Sequence, residues 1–116
     1  MKKVKIYHNP RCSKSRQTLQ ILEENGVEPE IIKYLETPPT VAELERVLEL
    51  LNKQPREIMR KNEAEYKEYD MSNENLSKSD LIRLMREYPK VIERPIVFTK
   101  DKAAIGRPPE SVLDIL

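Results

Sequence analysis

The chain has 116 residues with one cysteine, one histidine and no tryptophan. Its 21 lysines and arginines nearly cancel its 20 aspartates and glutamates, so bulk positive charge does not favour nucleic-acid binding. No apolar run approaches the ~20 residues of a membrane span, and "MKKVKIYHNP" lacks the long apolar stretch of a signal peptide. We therefore expect a cytoplasmic protein with no membrane or nucleic-acid partner, and a monomer as its default state.

The first third of the sequence predicts a strand–helix–strand unit. The β-rich stretch "VKIYH" predicts a first strand. A helix follows from about Ser13 and ends at Asn25–Gly26, which is a favourable C-terminal stop. The stretch "PEIIKYL" predicts a second strand, and the crossover between them predicts parallel pairing.

The middle of the sequence predicts helices. Thr40 follows "TPPT" and begins a helix, with Glu43 at the spacing of a capping box. Apolar residues then recur on one helical face as far as Leu51. Three further helical segments are predicted: a short one from Pro55, a broken polar stretch over 61–80, and "SDLIRLMREY".

The end of the sequence returns to strands. "RPIVF" predicts a buried strand, and a turn at "KDK" joins it to a short strand at "AAIG". Pro108 and Pro109 fit the start of a terminal helix that carries Val112, Leu113, Ile115 and Leu116. The element order is βαβ, a helical insertion at about 40–88, then ββα. It predicts an α/β thioredoxin-like fold with a four-stranded mixed sheet, in a single domain over 1–116.

The stretch "HNPRCSKSR" places Cys12 where the first strand gives way to the first helix. A free cysteine is often a small buried hydrophobe, but the near neighbours of this one are polar or charged. Thiols react as thiolates, and helix N-termini and cations lower their pKa from about 8.5. Arg11, Lys14 and Arg16 supply positive charge, with Arg16 on the same helical face, and His8 can assist the thiolate. We therefore predict a nucleophilic thiol.

Ser15 stands where a dithiol oxidoreductase would carry its second cysteine. The Cys12 thiol has no resolving partner in the same chain, because the chain has one cysteine. If the thiol is oxidised or derivatised, a thiol from another molecule must complete the reaction.

Three arginines, Arg60, Arg94 and Arg107, predict an oxyanion site. Proline follows Arg94 and Arg107 and keeps the residue before it extended, and guanidinium groups donate paired hydrogen bonds to oxyanions. Taken singly, each arginine fits a solvated surface charge better. In a thioredoxin-like fold the proline before the third strand faces the cysteine, and Pro95 fills that position. We predict that the Arg94–Pro95 bond is cis.

Several stretches together resemble the glutaredoxin-linked arsenate reductase family, and the resemblance covers nearly the whole chain. They are, in chain order, "YHNPRCSKSR", "YLETPPT", "LLNKQPREIMRKNE", "ERPIVF" and "GRPPESVLDIL". The resemblance implies that Cys12 attacks arsenate and forms a thiol–arsenate adduct. It also implies that glutathione adds as a co-substrate, that arsenic(V) is reduced to arsenic(III), and that glutaredoxin resolves the mixed disulfide.

The same resemblance implies the roles of individual residues. Arg60, Arg94 and Arg107 match the arginines that bind arsenate and stabilise the intermediates, and His8 matches the histidine that lowers the cysteine pKa. Ser15, Arg16 and Pro95 are supporting residues that match the family pattern. No metal and no tightly bound organic cofactor are implied.

Two alternatives remain. Ser13 and Lys14 stand where plasmid-type members tend to have Gly and Thr, and longer members extend beyond the position of Leu116. A related thiol reductase acting on another oxyanion or on a glutathione mixed disulfide is therefore one alternative. The second alternative is an Spx-type regulator that binds RNA polymerase, because the fold also resembles that group. These regulators usually carry a Cys-x-x-Cys switch, which Ser15 removes here, and they tend to lack an arginine equivalent to Arg107 before the last helix.

Overall fold

Residues 3–116 are described by a computed structural model. Met1 and Lys2, which open the segment predicted not to be a signal peptide, lie outside the described residues. The chain divides into two units: residues up to Thr37 together with Arg94–Leu116, and Pro38–Glu93. The predicted single domain with an insertion at about 40–88 stays a prediction. No helix of the described chain is long and apolar enough to cross a membrane.

The first unit is built on a four-stranded mixed sheet with the order β2-β1-β3-β4. Its strands are β1 (Lys5–Tyr7), β2 (Glu30–Ile32), β3 (Ile96–Phe98) and β4 (Ala103–Ile105). β1 pairs with β2 in parallel, while β1–β3 and β3–β4 are antiparallel. The predicted thioredoxin-like α/β fold is therefore confirmed, including the hairpin that joins the last two strands.

Helix α1 (Ser13–Glu24) makes the predicted crossover between β1 and β2. It ends at Asn25, and Gly26 follows with φ of +75°, a backbone conformation that glycine adopts without steric cost. One face of the sheet packs under this helix, and each fully buried aliphatic side chain there contributes ~1.5–3 kcal/mol. The buried cluster consists of Val4, Ile6, Leu22, Val97, Val112 and Ile115.

The predicted terminal helix forms as a 3-10 helix over Pro109–Ile115. A 3-10 helix has three residues per turn, so Pro109, Val112 and Ile115 all lie on its buried side. Leu113 and Leu116 were predicted as part of the same apolar set, but they are 43% and 41% exposed. Every third residue of this 3-10 helix therefore packs into the core, and the residues between them face solvent more.

The second unit contains three α-helices: α2 (Val41–Leu51), α3 (Ala64–Glu68) and α4 (Lys78–Glu87). Short 3-10 helices lie at Pro55–Ile58 and Pro89–Val91. The Glu43 N–H donates to Oγ1 of Thr40 over 3.1 Å, which confirms the predicted N-cap of α2. The helices α2 and α4 contribute Leu44, Val47, Leu48, Leu81, Ile82 and Met85 to the core of this unit. The short helices and loops contribute Ile58, Met59, Tyr66, Met71, Val91 and Ile92.

Candidate active site

Cys12 is the N-cap residue of α1, at the strand-to-helix junction that the sequence predicts. Its backbone is extended, with φ of −93° and ψ of 123°, and its N–H donates to the Asn9 carbonyl over 3.0 Å. Its own carbonyl accepts the Arg16 N–H over 3.0 Å and so begins the helix. The side chain is half-buried. The thiol therefore lies where the first N–H groups of the helix have no partner within the helix.

The surroundings of Cys12 favour the thiolate. Burial raises the pKa of the thiol, but the Ser15 N–H, the Arg94 side chain and the Lys14 N–H, which all favour the negative charge, together outweigh it. The pKa of Cys12 consequently lies below its ordinary value. Lys14 acts through its backbone, and the side chain with the largest effect is Arg94, which is remote in sequence. The sequence predicts that the cations beside Cys12 lower its pKa, whereas the side chain that lowers it is Arg94.

Arg107 also approaches the thiol. Its Nη2 lies 3.9 Å from Sγ of Cys12, and its Nε donates to the backbone carbonyl of Arg94 over 2.8 Å. The hydrogen bond to the Arg94 carbonyl fixes the orientation of the Arg107 guanidinium, because the group is planar and one of its donors is engaged. The Arg94–Pro95 bond is cis, which confirms the prediction, and the Arg107–Pro108 bond is also cis. Two arginines and the thiol are thus brought together from opposite ends of the chain.

His8 acts on Ser15 in this structure. Its Nδ1 lies 2.7 Å from Oγ of Ser15, and the same Oγ accepts the Asn9 N–H over 3.1 Å. A hydroxyl can donate one proton and accept two, so the hydrogen bond between Ser15 and Nδ1 forms with either tautomer of the neutral ring. Burial, followed by the charges of Lys33 and Arg16, lowers the pKa of His8. His8 is therefore neutral near pH 7, and the groups that lower the Cys12 pKa do not include it.

Two further residues support the site and were missed from the sequence. Thr18 is fully buried, and its Oγ1 donates to the Lys14 carbonyl over 2.8 Å. The Gly106 N–H donates to the Pro95 carbonyl over 2.9 Å. A Cβ at Gly106 would lie 2.5 Å from Thr18 Oγ1 and 2.7 Å from Pro95 Cγ, so only glycine fits there. The available signal was that Gly106, one of two glycines in the chain, directly precedes Arg107.

The other predicted site residues are engaged locally. The Arg16 Nη1 donates to the Pro10 carbonyl over 3.0 Å, which braces the loop that precedes Cys12. Arg60 belongs to the second unit, where it forms ion pairs with Glu63 and Glu93. The described residues hold no group of three or more His, Cys, Asp or Glu side chains that could bind a metal ion.

A mixed four-stranded sheet, with a thiol at the start of its first helix and two arginines beside it, defines a thioredoxin-like protein with a single cysteine. The chain belongs to the ArsC family, whose model matches residues 7–115.

Individual relatives are similar over almost their full lengths. The chain is 55% identical to the uncharacterized protein YfgD of Escherichia coli strain K12, covering 99% of this chain and 98% of that protein. It is 44% identical to an arsenate reductase of Neisseria meningitidis serogroup B, with both chains fully covered. The structure of an arsenate reductase from Vibrio cholerae superposes with a TM-score of 0.95 at 51% identity, covering 99% and 98% of the two chains.

Proposed function

We propose that this protein is an arsenate reductase, an oxidoreductase that works in the cytoplasm. The observation that carries the proposal is the environment of Cys12. The pKa of the thiol is lowered, Nη2 of Arg107 lies 3.9 Å from the sulfur, and the Arg94 side chain also stabilises the thiolate. A nucleophilic anion beside two guanidinium groups suits attack on an anionic, tetrahedral substrate. Relatives named arsenate reductase, at 44% and 51% identity, support arsenate as that substrate.

The proposed reaction begins with attack of the Cys12 thiolate on the arsenic of arsenate. A sulfur–arsenic bond forms, and one arsenate oxygen leaves as water after protonation. Glutathione then adds its thiol to arsenic and a second oxygen leaves as water. When the two sulfurs join as a mixed disulfide, both sulfur–arsenic bonds break and their electrons reduce arsenic(V) to arsenic(III). One water adds to arsenic in this step, so that it is released as arsenite. Glutaredoxin resolves the disulfide between Cys12 and glutathione.

The predicted site residues have separate roles in this proposal. Arg94 and Arg107 stabilise the thiolate and then the negative charge of the arsenate oxygens. Ser15 directs its backbone N–H at the thiol, and the hydrogen bond between its hydroxyl and His8 keeps it in that position. Arg16 steadies the loop. Arg60 contributes to oxyanion binding, as the family resemblance implies.

The single thiol requires a reductant from outside the chain, and the family resemblance implies that glutathione and glutaredoxin supply it. Because Ser15 stands at the position of a resolving cysteine, the electrons for a second turnover must come from another molecule. We propose that glutathione is a co-substrate and that the protein acts as a monomer, with no bound metal or organic cofactor.

The test is a coupled assay of arsenate-dependent NADPH consumption with glutathione, glutaredoxin and glutathione reductase. We expect turnover that disappears in Cys12→Ser, with an unchanged circular dichroism spectrum and unfolding transition. Ser13→Ala serves as the matched control, because Ser13 is exposed in the same turn. Turnover retained in Cys12→Ser would exclude the mechanism, and no turnover from wild-type protein with a titratable thiol would exclude arsenate as the substrate.

The second candidate is a thiol reductase acting on a glutathione mixed disulfide. It is favoured by the partial exposure of Cys12, which leaves the sulfur accessible to another thiol compound. The same assay with a glutathionylated substrate in place of arsenate distinguishes the two activities.

A further inference from the structure

The guanidinium of Arg60 is held between two carboxylates. Its Nε lies 3.2 Å from Oε1 of Glu63, and its Nη1 lies 3.2 Å from Oε1 of Glu93. The three side chains are only 25–27% exposed, so water screens these charges less than at an open surface. Two negative charges therefore face one positive charge in a partly dry environment.

The backbone fixes this arrangement. The Arg60 N–H donates to the Val91 carbonyl over 2.6 Å, and the Glu93 N–H donates to the Ile58 carbonyl over 2.7 Å. The Glu63 N–H donates to the Arg60 carbonyl over 3.2 Å. Because all three residues are held through their main chains, the two ion pairs form without further ordering of the backbone.

The two carboxylates obstruct the way in which an arginine binds an oxyanion. A guanidinium donates paired bonds along two edges, one containing Nε and the other containing both Nη groups. Glu63 contacts the nitrogen that belongs to the first edge, and Glu93 contacts a nitrogen of the second. An oxyanion that takes either edge therefore meets a nitrogen with a carboxylate already beside it, and the like charges repel.

We propose that Glu63 and Glu93 set the affinity of the protein for its oxyanion substrate by competing with that substrate for Arg60. The inference rests on the proposed function, in which Arg60 binds the oxyanion. Binding exchanges a carboxylate contact of Arg60 for a substrate contact and changes no covalent bond. Removing either carboxylate charge tightens oxyanion binding.

The experiment measures the Kd of arsenate by calorimetry on the full chain, at fixed ionic strength and without glutathione. We expect Glu93→Gln and Glu63→Gln each to lower the Kd by about two- to fivefold, the range that corresponds to the worth of accessible ion pairs. Glu49→Gln is the matched control. It removes the same charge from an exposed pair with Arg46, at 3.5 Å, and should leave the Kd unchanged.

A second comparison tests whether the effect passes through Arg60. In an Arg60→Gln background, Glu93→Gln should no longer lower the Kd. An unchanged Kd in both single glutamine variants, an equal gain in Glu49→Gln, or a gain that persists without Arg60 would each overturn the inference. Because binding is measured without reductants, the expected Kd shifts in a protein without turnover would refute the reduction step of the proposed function and leave oxyanion binding by Arg60, and with it this inference, standing.

Discussion

Arg107 Nη2 lies 3.9 Å from the sulfur of Cys12, although 95 positions separate the two residues in the chain. The Arg94 carbonyl accepts the Nε–H of the same arginine and so directs it. The sheet makes this meeting possible, because β1 and β3 are hydrogen-bonded neighbours in the four-stranded order. The electrostatic environment of the thiol therefore depends on the tertiary fold.

Arg94→Gln should raise the pKa of the Cys12 thiol. Arg94 is the side chain with the largest lowering effect, through a hydrogen bond and through its charge. Titration of the thiolate by ultraviolet absorbance or by the pH dependence of alkylation should show the midpoint moving up by about one unit, the size expected on losing a nearby opposite charge.

Lys14→Gln is the control for this titration, since Lys14 lowers the Cys12 pKa through its backbone N–H, which the substitution retains. The midpoint should stay within about 0.3 units of wild type, as for an exposed charge in water. Equal shifts in the two variants would contradict the assignment of the effect to Arg94.

Ser15→Ala should destabilise the protein and raise the Cys12 pKa. The fully buried hydroxyl bonds both His8 Nδ1 and the Asn9 N–H. Its removal leaves buried polar groups unpaired, which costs about 1–3 kcal/mol. Urea unfolding measures the loss, and Ser13→Ala, an exposed change in the same turn, should stay within about 0.5 kcal/mol of wild type. A stability loss without a change in thiol titration would limit Ser15 to a structural role.

His8 should make the folding stability fall in mild acid. Its folded-state pKa is depressed below 6.5, first by burial and then by the charges of Lys33 and Arg16. The unfolded chain therefore binds the proton more readily, so the contribution of His8 is complete above about pH 6.5 and is lost as the pH falls through the folded-state pKa.

His8→Asn isolates this effect, because the Asn side chain carries both a donor and an acceptor for the Ser15 hydroxyl but does not titrate. Urea unfolding of both proteins from pH 7.5 to pH 5 should show a steeper loss of stability in the wild type. Parallel curves would mean that His8 has the same pKa in the folded and unfolded states.

Gly106→Ala should reduce both stability and turnover. The new Cβ would lie 2.5 Å from Thr18 Oγ1 and 2.7 Å from Pro95 Cγ, so the segment before Arg107 must shift. Overpacking of this kind costs about 1–3 kcal/mol, which thermal or urea unfolding will measure.

Gly26→Ala provides the comparison. No atom lies within 4 Å of its added Cβ, but its φ of +75° disfavours a side chain. It should lower stability by about 1 kcal/mol and leave turnover unchanged, because its cost is confined to the end of α1. A similar fall in turnover for both variants would contradict the role assigned to Gly106.

Local patterns in the sequence were enough to predict the elements and the position of the thiol. Thr40 caps α2 and Asn25–Gly26 ends α1 because capping depends on residues only a few positions apart. The βαβ and ββα order predicted the mixed sheet, and with it the cis bond before Pro95. Cys12 lies at the N-terminus of α1 for the same local reason.

The tertiary structure decided which charged groups act on one another. Arg94 and Arg107 meet the Cys12 sulfur because strands far apart in the chain pair side by side. The carboxylates around Arg60 were likewise invisible in the sequence, since Glu93 reaches it from 33 positions away. Hydrogen bonds and ion pairs depend on distances of a few ångströms, and the folded backbone sets those distances.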